Sequence, residues 1–173
     1  MTENDSTRVY MAVDRARMTP HAIRFLDEWL SQMDGRLTRW REMYLPPEFP
    51  FDFSLDSLDV LEPILLERYP DRAAVKSSVN VDFTEGAVRY IGETWRRNVP
   101  SRWSYHDSGE ADPNIYNRVP LICSNVPEQY EDAVVPLHTL EAFAVEREPE
   151  ILREMLSILI DSVDEAAESE GRE

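Results

Sequence analysis

Apolar residues recur in steps of three and four along most of this chain, and the step changes to two only in its middle third. Steps of three and four place apolar side chains on one face of a helix, whereas alternation is typical of a half-buried strand. The chain therefore predicts an α+β fold: a mainly helical single domain with a small antiparallel sheet at about residues 102–135.

The longest helical pattern follows Thr19-Pro20, an N-cap residue and a proline suited to the first helical turn. It predicts one amphipathic helix over residues 20–44, with Gly35 as its one discordant residue. The stripe lasts about three heptads, so it also supports an alternative in which the chain is a self-associating structural subunit, a homodimer through this helix. The stripe consists of Ile23, Leu26, Leu30, Met33, Leu37, Trp40 and Tyr44.

Further helical patterns flank the middle third. One carries Leu58 to Tyr69, and a start near Asp59 would place Pro63 in the first turn, where its missing N–H costs nothing. Another extends from Asn80 or Asp82 to Pro100. Two prolines open the remaining helices. The candidate caps of the first of these helices are Ser54, Ser57 and Asp59, and the two opening prolines are Pro136 and Pro149.

The middle third predicts strands. Trp103 and Tyr105 alternate with polar neighbours, and an acidic loop separates them from a second alternating run, which indicates an antiparallel pair. Val134-Val135 is a candidate third strand. The second run contains Val119, Leu121 and Cys123, and this phase predicts that Cys123 faces the core.

The ends of the chain are more polar than its centre. Residues 1–18 are weakly patterned and are interpreted as an N-terminal arm, residues 19–165 as the globular domain, and residues 166–173 as an acidic disordered tail.

The charge balance excludes several classes of protein. The chain has 34 acidic and 18 basic residues, a formal charge of −16, which excludes a general nucleic-acid binder because phosphates require surplus cations. Its hydrophobic content of 42% excludes wholesale disorder. A lone cysteine, a polar N-terminal segment and the lack of a long apolar run predict a cytoplasmic protein with no membrane association.

The excess charge is concentrated in the second half of the chain. Residues 1–44 carry seven acids and seven bases, whereas residues 100–173 carry seventeen acids and five bases, a balance of −12. Such a segment attracts cationic partners over long range.

Several common catalytic and ligand-binding motifs are missing from the sequence. It contains no HExxH or CxxC motif, no GxSxG turn and no glycine-rich phosphate loop, so we expect no metal, no cofactor and no assigned catalytic residue. The alternative is a hydrolase-like enzyme with a site assembled from Glu93, His106 and His138, which would require a glutamate of raised pKa. Glu93 also belongs to a ladder of opposite charges at four-residue spacing: Glu85, Arg89, Glu93 and Arg97.

Aromatic residues are interleaved with acids around the middle third, a pattern that suits an Arg- or Lys-rich protein partner through ion pairs and cation–π contacts. Ordinary packing of the sheet against the helices is the alternative explanation for these aromatics. The predicted partner-binding residues are Trp103, Tyr105, Asp107, Glu110, Asp112, Tyr116, Glu128, Tyr130, Glu131 and Asp132.

One helix carries a recognisable run of residues, Gly86-Ala87-Val88-Arg89-Tyr90-Ile91-Gly92-Glu93, followed by Trp95 and Trp103. Over residues 50–145 the chain resembles small uncharacterised bacterial domains with a G-x-x-x-Y-x-G-E helix and a following Trp strand. Some of these domains resemble immunity proteins, which block toxins by direct binding. The resemblance implies a non-enzymatic inhibitor of a basic toxin or nuclease. Physically, the two glycines allow another element to approach the helix closely.

Overall fold

A computed structural model describes residues 3–171 of the chain, and it has the predicted mainly helical α+β architecture. The helices are α1 (Glu3–Arg17), α2 (Pro20–Ser31), α3 (Met33–Tyr44), α4 (Leu55–Arg68), α5 (Arg72–Val75), α6 (Val81–Asn98), α7 (Pro136–Glu146), α8 (Ile151–Glu154) and α9 (Leu156–Glu170). The strands are β1 (Ser101–Ser104), β2 (Leu121–Ser124) and β3 (Ala133–Val134), and 3₁₀ turns occupy Ser78–Asn80 and Glu128–Tyr130.

The predicted helix over residues 20–44 is two helices, α2 and α3. The break lies at Gln32, whose backbone (φ −89°, ψ −4°) leaves the α-helical region for the bridge region. The apolar stripe continues across the break, and most of it packs in the core of this chain, which leaves less apolar surface for a second copy. Its buried members are Leu26, Met33, Leu37 and Trp40, together with Ala22.

Helix α4 begins at the first of its three candidate caps. The Ser54 hydroxyl accepts a hydrogen bond from Ser57 N at 3.2 Å, which identifies Ser54 as the N-cap. Pro63 is therefore inside the helix rather than in its first turn. Pro63 lies on the exposed side, while the opposite side of α4 buries Leu58 and Leu61 completely, and this packing holds the helix together around the proline.

Helix α6 is the centre of the molecule, and its bounds confirm the prediction. Nearly every residue between Phe83 and Trp95 is buried, because α3, α4, α7 and the sheet all contact this helix. A Cβ at Gly86 would lie 2.1 Å from the ring of Trp40, and one at Gly92 would lie 2.2 Å from the ring of Trp103. Both glycines therefore permit a tryptophan to pack directly on the helix backbone.

The sheet has the order β1-β2-β3 and is antiparallel throughout, which confirms the predicted pair and its third strand. Trp103 pairs with Ile122, which pairs with Val134, and all three lie in the main core. Arg102 pairs with Cys123 on the alternate phase. Cys123 is buried in a small cluster with Leu121 and Val135, as predicted.

The segments interpreted as an arm and a tail are largely helical. Helix α1 covers residues 3–17 and packs on β1, and helix α9 extends to Glu170 with Ala166 buried. The last predicted helix is also divided, since α8 and α9 meet at Met155. Residues 1–2 of the arm and 172–173 of the tail lie outside the described residues.

Candidate functional site

Two of the predicted partner-binding aromatics are not at the surface. Trp103 and Tyr105 are only 2% and 3% exposed, because the phase of β1 directs Trp103 towards α6. The indole N–H of Trp103 donates to the Glu93 carboxylate at 2.8 Å, and the ring of Tyr105 stacks on Phe25 at 4.0 Å. The packing explanation is therefore correct for both residues. Tyr116 is 40% exposed, and Tyr130 is half-buried.

The predicted acids lie on two segments that face each other across an open cavity of about 180 Å³. One segment is the loop after β1, the other follows the 3₁₀ turn at Glu128–Tyr130, and the C-terminal end of α1 closes the third side. The cavity is lined by Asp14, Arg17, Met18, Thr19, Tyr105, His106, Asp107, Ser108 and Glu131. The structure thus brings together Asp107 and Glu131, which are 24 positions apart in the chain.

The loop on one side of this cavity is shaped by its own polar side chains. Asp107 accepts from Gly109 N at 3.0 Å, and Asp112 accepts from Asn114 N at 2.9 Å. The Asn117 amide donates to Gly109 O at 2.7 Å. Two of the predicted site acids therefore fix the backbone of the loop as well as adding charge.

A buried arginine connects the walls of the cavity. Arg102 is 1% exposed and donates to both carboxylate oxygens of Asp14, at 2.6 and 2.7 Å, and to Glu131 at 2.6 Å. It also donates to Ser124 O at 2.8 Å. Burial opposes its charge, but the bonds to Asp14 and Glu131 outweigh burial and raise the pKa of Arg102. Two carboxylates around one guanidinium leave this cluster with a net negative charge.

Sequence reasoning did not identify Arg102 or Asp14. An arginine inside a predicted strand of a small sheet can be buried, and a buried guanidinium requires a carboxylate partner. This was the available signal for Arg102. The partner could not be deduced, because Asp14 lies 88 positions away, in the segment interpreted as an arm.

Helix α9 extends the negative surface beyond the cavity. It contacts the 3₁₀ turn and β3, and the Tyr130 hydroxyl donates to Ser169 Oγ at 2.6 Å. Its acids are exposed and recur at helical spacing, opposite the buried Leu159, Ser162 and Ala166. We define the acidic face as Glu128, Glu131, Asp132, Asp161, Asp164, Glu165 and Glu168.

Most arginines after residue 100 are engaged away from this face. Arg147 donates to backbone oxygens at the end of α4, and Arg153 pairs with Asp56 and Asp59 near its start. Arg118 lies 3.7 Å from Asp107, and Arg172 is outside the described residues. Arg102 is buried but pairs with Glu131 of the face at 2.6 Å. Among the described residues, Arg17 of α1 pairs with Glu128 of the face at 3.0 Å. The face therefore keeps much of the charge that the sequence concentrates after residue 100.

The residues of the hydrolase-like alternative lie apart. Glu93 lines a cavity beside α1 and α3, His106 lines the cavity described above, and His138 lines a third one on α7. Burial raises the pKa of Glu93, but bonds from Arg96 and Trp103 more than compensate, so the pKa lies below its ordinary value. A general acid needs the opposite shift.

The predicted charge ladder on α6 is formed in two parts. Glu85 pairs with Arg89 at 3.3 Å, and Glu93 pairs with Arg97 at 3.2 Å and with Arg96 at 2.8 Å. Glu93 and Arg89 are buried, so the ladder is internal at its centre and exposed at its C-terminal end, where Arg97 is 43% exposed.

The structure also bears on a cysteine nucleophile and on a metal site. Burial raises the pKa of the Cys123 thiol strongly, which disfavours the nucleophilic thiolate. Across residues 3–171, no three His, Cys, Asp or Glu side chains are grouped closely enough to hold a metal ion.

Comparison with models of protein families, with curated proteins and with solved structures finds no match for this chain. In the part of the chain that the structure describes, no helix combines the length and apolar character needed to cross a bilayer.

Proposed function

We propose that this chain is a non-enzymatic protein-binding domain whose acidic face receives a basic surface of a partner protein. The observation that carries the proposal is the arrangement of charge. Acids from the 3₁₀ turn and α9 lie on adjoining elements, while Arg147 and Arg153 are engaged by α4. Arg17 and Arg102 pair with two of the seven acids of the face, Glu128 and Glu131.

The physical mechanism is electrostatic steering followed by short-range contact. A face of one sign increases the rate of encounter with a cationic partner and aligns it before contact. The cavity beside the face is walled by Asp14 and Glu131, two carboxylates that share Arg102, and this excess of negative charge suits a lysine or arginine side chain of that partner. Since Trp103 and Tyr105 are buried, the aromatic residues that would contact the partner are Tyr116 and the exposed part of Tyr130.

The class of partner is proposed from the charge and from the resemblance over residues 50–145. A nuclease domain, or another toxin that acts on nucleic acid, has a cationic surface around its active site, since it must hold phosphates. A domain that covers that surface with carboxylates inhibits without chemistry of its own. The proposal is therefore an immunity-type inhibitor of such a toxin or nuclease.

The proposal is tested by capture of partners from native cells on the immobilised chain, followed by elution with rising salt. We expect a basic protein that elutes as salt screens the contact. If no basic protein is recovered at low salt, the proposal is wrong.

A matched pair of variants then tests the location of the contact. The first variant neutralises four acids of the face: Asp161→Asn, Asp164→Asn, Glu165→Gln and Glu168→Gln. The control neutralises four exposed glutamates elsewhere: Glu42→Gln, Glu48→Gln, Glu67→Gln and Glu154→Gln. Both change the net charge equally. We expect the first to slow association at low salt by about tenfold or more and the control to change it little. Equal losses would show that overall charge, not this face, attracts the partner.

A further inference from the structure

A second cavity lies away from the acidic face, between α5, α7 and the tip of the loop after β1. It is open, has a volume of about 470 Å³, and lies within the range typical of small-molecule sites. Helices α5 and α7 pack against each other along its floor. It is lined by Arg72, Lys76, Ile115, His138, Glu141, Ala142, Val145 and Glu146.

A buried carboxylate holds two cations at this cavity. Glu141 is 5% exposed, and its Oε1 lies 2.9 Å from Lys76 Nζ and 3.6 Å from Arg72 Nε. The cations themselves are largely exposed, at 59% for Lys76 and 68% for Arg72. Glu146 at the rim brings the formal charge of the lining residues to zero. The two cations nevertheless share one buried carboxylate, so each has further N–H donors for a ligand.

Apolar side chains stand beside these cations. Ile115 and Val145 are 63% and 61% exposed, and Ala142, which lines the same cavity, is half-buried. Exposed aliphatic area favours an apolar occupant, at about 25 cal/mol per Å² covered. His138 is half-buried, and burial lowers its pKa, so at neutral pH its imidazole offers hydrogen bonds without charge.

We propose that this cavity binds a small amphiphilic anion. Its anionic head contacts Lys76 and Arg72, and its apolar body covers Ile115, Val145 and Ala142. Glu141 pairs with both cations and competes with the ligand for them, so it is not itself a ligand contact.

The experiment is a fluorescence titration of the full chain with 8-anilinonaphthalene-1-sulfonate, an apolar aromatic anion, and in parallel with N-phenyl-1-naphthylamine, its uncharged relative. We expect saturable binding of the sulfonate at one site. Lys76→Met removes a cation but keeps the apolar stem, and should weaken sulfonate binding about tenfold while leaving the uncharged probe unaffected. Arg39→Met is the matched control, because Arg39 is 61% exposed and also lies in an ion pair, with Asp82 at 3.8 Å. It should change neither affinity.

Two further variants separate a ligand site from a structural ion pair. Glu141→Gln removes the competing carboxylate and should keep or increase affinity for the sulfonate, the opposite of Lys76→Met. Val145→Gln should weaken binding of both probes. Thermal unfolding of each variant shows whether it is folded.

The proposal is overturned if the sulfonate shows no saturable binding, or if Lys76→Met and Arg39→Met have equal effects. It is also overturned if Val145→Gln leaves both affinities unchanged, since the probe would then lie elsewhere. A folded Glu141→Gln variant that loses affinity as Lys76→Met does would show that the cluster is structural.

Discussion

Replacing Gly92 with alanine tests the closest approach between α6 and β1. The added Cβ would lie 2.2 Å from Trp103 Cη2 and 2.4 Å from its Cζ2, whereas ordinary contact begins at 3.4 Å. The indole must therefore retreat by about 1.2 Å. It is 2% exposed and fixed by the 2.8 Å hydrogen bond from its Nε1 to Glu93.

The expected magnitude is the balance of three effects. Overpacking a filled core costs about 1–3 kcal/mol. Displacing the indole breaks its bond to a buried carboxylate, which costs about 1–3 kcal/mol more. Alanine in place of glycine within a helix stabilises the folded protein by about 1 kcal/mol, which offsets part of these costs. We expect Gly92→Ala to lower the free energy of unfolding by about 2–4 kcal/mol, and the melting temperature by roughly 5–15 °C for a domain of this size.

The assay is urea unfolding followed by circular dichroism, with the midpoint compared at unchanged slope. Gly35→Ala is the matched control, because Gly35 is an exposed helical glycine and a Cβ added there would have nothing within 4 Å. This substitution should stabilise the protein by about 0.5–1 kcal/mol. If Gly92→Ala is as stable as the unsubstituted protein, Trp103 can move without cost and the reasoning is refuted.

Three further outcomes are expected. Glu93→Gln should lower the free energy of unfolding by about 1–3 kcal/mol. The variant loses the ion pairs of the buried carboxylate with the part-exposed Arg96 and Arg97, but its amide oxygen still accepts a hydrogen bond from Trp103. Because the pKa of Glu93 lies below its ordinary value of 4.5, its contribution is present above that pH and lost as the pH falls, so urea midpoints of the two proteins should converge in acid. Arg102→Met should cost about 3–5 kcal/mol by leaving Asp14 unpaired, and limited proteolysis should then cut within α1; protection equal to that of the unsubstituted protein would contradict this. Cys123 should react with a thiol reagent only in denaturant, and rapid labelling of the native protein would show that its burial is wrong.

Much of the fold was predictable because most of its helices and strands bury one face, and the apolar residues of that face recur at regular spacing in the sequence. The bounds of α6 and the pairing of β1 with β2 followed from apolar spacing and from the prolines at their ends. The division between α2 and α3 was not predictable, since the apolar stripe passes through Gln32 unchanged. The sequence left three candidate caps for α4 open, because it does not show the packing that offsets the cost of Pro63 inside the helix.

The candidate site was predictable only in part. Charge arithmetic indicated an acidic region after residue 100. It could not show which aromatics are exposed, because alternation alone does not distinguish the face of β1 that packs on α6 from a face in solvent. It also could not show that Arg102 would be buried by Asp14 of α1.

By itself, the sequence determined the class of fold, the core phase of Cys123 and the uneven distribution of charge, since each depends on local periodicity or on counting. Tertiary structure alone decided where the charge is displayed. Long-range contacts bury Arg102, direct Arg153 to α4 and place the acids of α9 beside the 3₁₀ turn. An ion pair requires two side chains to lie within a few ångströms of each other in the folded chain. Local sequence patterns do not show which residues far apart in the sequence come that close.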